Sequence, residues 1–297
     1  MTKTAGKRFV QWWRRRWQML TRKRLRHAVG RYTIELPAEH RLPELQAAHP
    51  RYDRFLQHLT AQLNAWDVVI DVGANCGDTL AALLLGKQAL EVVCIEPDAG
   101  FFAYLERNAE HLRVAAAPAR MQLVQALVGQ SVGQATLHGG GGTRRAKVAP
   151  PGSGIAARRL DDIVSALPGE VAARVRLVKC DVEGWDCDVI GSAPALLRGV
   201  HPMLFFACQT DAEAQRQTYV RTLQALLERG YAQVFVFDNF GGLMVRCDAL
   251  PALQTLIDYL WQQHQGQATR TVYQLDFLVC SQADVVLVER ALQAYHA

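Results

Sequence analysis

Three short stretches of this sequence bring together residue types able to do chemistry. The first runs through Asp71, Gly73, Asn75, Gly77 and Asp78, an acid followed by a glycine-punctuated turn. Gly73 and Gly77 let a backbone turn tightly and approach a ligand with no Cβ in the way. The second is Glu96-Pro97-Asp98, about 20 residues past the first glycine. At that separation an acid on the neighbouring strand accepts hydrogen bonds from ribose hydroxyls. The third holds Lys179, Asp181 and Glu183, which project to one side if the segment is extended. Three ionisable groups at a strand tip cost packing energy but suit a ligand crevice.

These groups need a scaffold that ends several strands at one edge. Residues 68–72 are an unalternating, mostly β-branched apolar run, as in a parallel strand buried on both faces. Asp78 or Thr79 is suited to cap the helix that follows. Further strands are expected at 91–95, 121–128, 174–180, 202–208, 231–238, 242–246 and 273–280. Helices are expected between them, at 54–63, 101–112, 160–167, 185–197, 213–229 and 250–263, with a last one at 283–295. This alternation is the signature of an α/β fold with a mostly parallel sheet and helices on both faces.

The ligand at the edge of that sheet follows from the turn. A dinucleotide fingerprint has three glycines that free helix amides for a pyrophosphate. Here Gly73-x-Asn75-x-Gly77 departs from it, and Asp71 precedes the first glycine. An anion there suits an ammonium or sulfonium and repels a pyrophosphate. S-adenosylmethionine is therefore favoured over NAD. Gly73, Asn75, Gly77 and Glu96 are expected to form its pocket, with Asp71 near the methionine ammonium. Asp98 either helps hold the ribose or adenine edge or caps the next helix.

The ordered set Asp71 to Asp78, Ile95 to Asp98, Leu160 to Ile163, Val178 to Gly184 and Gly230-Tyr231 resembles the FkbM family of S-adenosylmethionine-dependent methyltransferases. The resemblance runs over residues 66–280. It implies a class I methyltransferase (Rossmann-like) fold, with a seven-stranded, mostly parallel sheet whose last strand is antiparallel. It also implies O-methylation of a hydroxyl, often on a sugar, glycan or related metabolite. Asp181, Glu183 and Lys179 are then the expected reacting centre, the carboxylates either accepting a proton or holding a divalent metal. Family members commonly carry a glutamate near the end of the fifth strand. Here that strand closes on Cys208-Gln209 with no acid, which leaves Gln209 or Asp211 as substitutes. An NAD-dependent oxidoreductase and a non-catalytic binding protein on the same fold are the competing readings.

Charge divides the chain. Residues 1–31 hold eleven lysines and arginines and no acid, leaving 22 bases against 28 acids, or −6, in the rest. Phe9, Trp13, Trp17 and Leu20 fall on one helical face of this arm. That describes an interfacial helix on an anionic membrane, a helix packed on the protein itself, or a loose tail attracted to nucleic acid without specificity. Its charges interrupt every apolar run, so neither a secretory signal nor a membrane span is expected. The seven scattered cysteines read as reduced thiols of a cytoplasmic protein, peripheral to the inner membrane face if the arm binds there. No residue spacing indicates a zinc site. Two regions result: 1–43, a basic arm and linker, and 44–297, a methyltransferase domain closed by a helix–strand–helix at 250–297. Within it, residues 139–154 read as a flexible glycine-rich loop. Arg144, Arg145 and Lys147 there either stay solvated or hold an anionic glycan or glycolipid acceptor.

Overall fold

The computed structural model describes residues 24–130, 134–150, 153–265 and 271–297. Most of the basic arm, residues 1–23, lies outside them.

The described chain opens with an antiparallel hairpin, β1 (Leu25–Val29) and β2 (Tyr32–Leu36), where a linker was expected. Helices α1 (Leu42–Ala48) and α2 (Phe55–Thr60) follow. Strands and helices then alternate: β3 (Val68–Val72), α3 (Asp78–Gly86), β4 (Glu91–Ile95), α4 (Ala99–Ala115), β5 (Arg120–Val124). Four short strands come next: β6 (Leu127–Val128), β7 (Gln134–His138), β8 (Arg145–Val148) and β9 (Ile155–Arg158). Alternation resumes with α5 (Leu160–Ser165), β10 (Val175–Cys180), α6 (Asp186–Gly191), α7 (Pro194–Gly199) and β11 (Met203–Cys208). The chain closes with α8 (Glu213–Glu228), β12 (Tyr231–Asp238), β13 (Leu243–Cys247), α9 (Leu250–His264), β14 (Leu275–Ser281) and α10 (Val285–His296).

The main sheet has eight strands, ordered β13-β12-β14-β11-β10-β3-β4-β5, rather than the expected seven. The extra strand is β13, which stays hydrogen-bonded to β12 as the outer arm of a hairpin. β14 inserts antiparallel between β11 and β12, as expected of the last strand. β3 shows why the apolar run does not alternate. Val69 faces one core, shared with α2, α3, α4 and α10; Val68, Ile70 and Val72 face the other, shared with α5, α7, α8 and α9. Each such fully buried side chain contributes about 1.5–3 kcal/mol.

Three other expectations change. Residues 121–128 are not one strand: β5 stays in the main sheet and β6 joins a second sheet, ordered β6-β9-β7-β8. The glycine-rich segment carries a strand, because β8 pairs antiparallel with β7 from Ala135↔Val148 to His138↔Arg145. The helix expected over 185–197 is two helices, since Pro194 starts a new one.

The hairpin at residues 25–36 belongs to the folded body. Buried Asn108 on α4 accepts from Glu35 N at 2.7 Å and donates to Glu35 O at 2.8 Å. The same amide donates to Cys76 O at 2.7 Å, so it also pins the glycine turn after β3.

Candidate functional site

The carboxyl ends of β3, β4, β10 and β11 open into one cavity of about 560 Å³. Gly73, Asn75, Asp78, Glu96, Lys179, Asp181 and Glu183 all line it. Asp71, Gly77 and Asp98, also expected there, do not.

The turn after β3 is built by backbone constraint. Gly73 has φ of +78°, and a Cβ there would lie 2.2 Å from the Asp181 carbonyl oxygen. The glycine is thus required by the close approach of two strand tips. Asn75 is also left-handed, at φ +49°, and its N–H donates to Glu96 Oε2 at 2.9 Å. Asp98 N donates to Glu96 Oε1 at 2.8 Å. Each Glu96 oxygen keeps a second lone pair for another donor. Burial pushes the Glu96 carboxyl up to about 7, and the two backbone N–H groups pull it back.

Asp98 takes the capping role. Its Oδ1 accepts from Gly100 N and Phe101 N, at the start of α4, and its Oδ2 takes Arg144 Nε at 3.1 Å. The Arg144 guanidinium lies 4.6 Å over the Phe101 ring. Asn75 ties down the loop as well, donating through Nδ2 to Gly142 O at 2.7 Å.

Asp71, expected near a ligand ammonium, has no exposed surface and does not line the cavity. It faces inward because β3 is buried on both sides, and there it meets Lys179 Nζ at 2.9 Å. Neither Asp71 oxygen has a well-aligned hydrogen-bond donor. Burial raises its carboxyl, with Lys179 opposing. Burial works to lower the Lys179 ammonium, but Asp71 and Asp181 outweigh it and raise it above the usual lysine range. Lys179 Nζ also donates to Gly73 O at 3.0 Å. Asp78 does not cap α3, where left-handed Gly77 holds the cap position; it faces the cavity instead.

The tip of β10 carries the expected carboxylates. Asp181 is exposed, and its N–H donates to Val72 O at 3.1 Å. Glu183 sits at φ +55°, a costly conformation for a non-glycine residue. The turn is held from behind by fully buried Asp186, which accepts from Val182 N at 3.3 Å and Gly184 N at 3.2 Å. Burial, reinforced by Asp181, raises the Glu183 carboxyl.

Sequence reasoning missed one acid on this wall. The antiparallel insertion of β14 brings Asp276 opposite Ala207, beside the tip of β11 that lacks an acid of its own. A chain of amides joins the two carboxylates. Gln209 Nε2 donates to Glu183 Oε2 at 3.1 Å and to Gln274 Oε1 at 2.9 Å. Gln274 Nε2 donates in turn to Asp276 Oδ1 at 2.8 Å. Burial pushes the Asp276 carboxyl up to about 7, against the Gln274 bond. The signal available was a lone acid inside the apolar run of residues 275–280. Asp211, considered as a substitute acid, is instead bonded to Arg145 Nη1 at 2.7 Å.

Such a site can hold a ribose on Glu96 and present carboxylates to a second reactant. Among the described residues no three His, Cys, Asp or Glu side chains group so as to hold a metal ion. No helix of the described residues is long and apolar enough to cross a membrane.

Residues 71–232 match the family model described as the methyltransferase FkbM domain. No curated protein sequence matches the chain. Among solved structures, the chain is similar to an FkbM methyltransferase from Methylobacillus flagellatus KT, at 14% identity and TM-score 0.38. That alignment covers 80% of this chain and 58% of the other, so the chain spans little more than half of that relative's length. A precorrin-6y C5,15-methyltransferase from Geobacter metallireducens GS-15 aligns at 12% identity and TM-score 0.39, over 77% of this chain and 87% of its own. A SAM-dependent methyltransferase from Thiobacillus denitrificans, solved with S-adenosyl-L-homocysteine, aligns at 15% identity and TM-score 0.39, over 80% and 96%.

Proposed function

The chain belongs to the FkbM methyltransferase family, and from that premise we propose that it uses S-adenosylmethionine to methylate a hydroxyl on a sugar, glycan or related metabolite. The observation that carries the reading is Glu96: a buried carboxylate fixed by two backbone N–H groups, with its remaining lone pairs on the cavity wall. Those two acceptor oxygens fit the two hydroxyls of a ribose. Gly73 and Asn75 shape the turn beside it, and Asp78 and Asp181 are the cavity acids available to a methionine ammonium. Asp71 acts one step back, by holding Lys179. When bound, S-adenosylmethionine supplies an electrophilic methyl group carried by a sulfonium.

The residues of the chain have two tasks beyond binding. They aim the acceptor oxygen, which can supply several kcal/mol of barrier lowering, and they take its proton. Burial raises the proton affinity of both Glu183 and Asp276, that of Asp276 to about 7, and a raised carboxylate suits a general base. The family match sets aside the nicotinamide reading. The basic arm is proposed to act at an anionic membrane surface, on the inner face, and liposome flotation of the full chain against a 1–31 deletion tests that; equal flotation removes it.

The function is tested in two steps. Calorimetry of the full chain with S-adenosylhomocysteine should show binding that Glu96→Ala weakens; full affinity in that variant removes the ribose assignment. Methyl groups from labelled S-adenosylmethionine should then appear in a base-stable ether on a hydroxyl acceptor. Label that is released by mild base, as from a methyl ester, contradicts methylation of a hydroxyl.

A further inference from the structure

Six basic side chains line the cavity: Arg41, Arg51, Arg54, Arg144, Arg145 and Lys179. The last three are spoken for. Arg144 pairs with Asp98, Arg145 with Asp211 and Glu183, and Lys179 with Asp71. The loop arginines expected to hold an anionic acceptor thus already have carboxylate partners. The first three have none among the described residues. Arg54 only donates to the neutral Gln46 amide, at 3.1 Å, and Arg51 lies 5.7 Å from the Tyr295 ring centre.

All three unpaired arginines come from one segment, residues 41–54, ahead of the matched family region. Local turns fold this segment toward the cavity. Arg54 N donates to Arg51 O at 3.1 Å, and Tyr295 OH donates to Arg51 O at 3.1 Å, anchoring the turn to α10. Arg41 N donates to Gly141 O at 3.3 Å, joining the segment to the glycine-rich loop. Asp53 is the one acid of this segment that also lines the cavity, against its three arginines. Arginine presents a planar fork that matches the oxygens of a phosphate, and it cannot lose its charge at neutral pH. The carboxylates Asp181, Glu183 and Asp276 stand at the strand tips, on other elements of the same cavity.

We infer that Arg41, Arg51 and Arg54 form an anion subsite for the acceptor, which carries a phosphate group away from the hydroxyl that is methylated. This rests on the methyltransferase reading, because it divides one cavity into donor and acceptor parts. The phosphate belongs either to a soluble sugar phosphate or to a lipid headgroup, and the chemistry recognised is the same.

The test is calorimetry on the full chain with S-adenosylhomocysteine present, using D-glucose 6-phosphate and, as uncharged control, D-glucose. The sugar phosphate should bind, the sugar should not, and the Arg41→Gln/Arg51→Gln/Arg54→Gln variant should lose roughly tenfold or more of that affinity. The variant should keep its affinity for S-adenosylhomocysteine, which also shows that it folds. A second arm offers phosphatidylcholine vesicles with and without phosphatidic acid. Vesicle binding that needs both phosphatidic acid and the three arginines, with no response to the sugar phosphate, supports the subsite and assigns the phosphate to a lipid. Equal binding by wild type and variant in both arms overturns the inference, as does no binding in either. Loss of S-adenosylhomocysteine affinity in the folded variant overturns it too, since the arginines would then serve the cofactor. Failure of the wild type to bind S-adenosylhomocysteine contradicts the methyltransferase reading itself, and the division of the cavity goes with it.

Discussion

The two halves of the cavity are held together by different means. The Glu96 half is made by backbone: left-handed Asn75 and the residues after β4 supply N–H groups to both carboxylate oxygens. The Asp181 half is made by side chains: Gln209, Gln274 and Arg145 arrive from β11, the lead into β14 and β8 to set Glu183 and Asp276. Backbone geometry tolerates little change, whereas a side-chain network is rebuilt by substitution. The first half suits a ligand that never varies. The second suits an acceptor that differs between proteins.

The largest effect should come from the pair beneath both halves. Asp71→Ala leaves a buried Lys179 charge without its partner, and removing one member of a buried ion pair typically costs about 3–5 kcal/mol. Chemical denaturation should show that loss, and a loss under about 1 kcal/mol would mean the pair is not the support described.

Glu96→Ala separates the halves. It removes two charge-assisted acceptors, and the affinity for S-adenosylhomocysteine should fall about a hundredfold. Asp276→Asn should leave that affinity unchanged while turnover falls by roughly a hundredfold, the usual scale for a lost general base. Once an acceptor is in hand, a turnover unchanged in Asp276→Asn would return the base role to Asp181 or Glu183.

A smaller effect is a pH dependence of S-adenosylhomocysteine affinity, set in the Glu96 half. This carboxyl sits near 7 in the fold, so below that pH it is mostly protonated and a ribose must displace the proton. Affinity should therefore fall by about tenfold for each pH unit below about 7, and level off above it. A flat profile in calorimetry would show that the carboxyl is already ionised. Smallest of all, Arg144→Ala removes a partly exposed ion pair, worth less than about 1 kcal/mol, and should weaken binding only a few-fold.

The same contrast explains what the sequence revealed. The Glu96 half is compressed into residues 71–98, where two glycines, an acid and the turn between them are adjacent in the chain. Its fold context was legible for the same reason, since unalternating strands announce a sheet covered on both faces. Individual roles were less so. Asp71 reads as a ligand contact because its position precedes the glycine turn, but burial of both faces of β3 turns it to Lys179. Asp276 shows in the sequence only as a lone acid in an apolar run, because its place depends on an antiparallel insertion that pairs it with Ala207, far away in sequence. The loop arginines read as free until Asp98, Asp211 and Glu183 were found opposite them. β13 was legible as a strand, and only its place in the main sheet, through its hairpin with β12, exceeds the expected seven.

The most direct measurement is a crystal structure of the full chain with S-adenosylhomocysteine. The ribose hydroxyls should lie within hydrogen-bond distance of Glu96, and the sulfur should face the part of the cavity bounded by Asp181, Glu183 and Asp276. A ligand lodged elsewhere, or one whose sulfur points away from those three carboxylates, would contradict the division of the cavity into donor and acceptor halves.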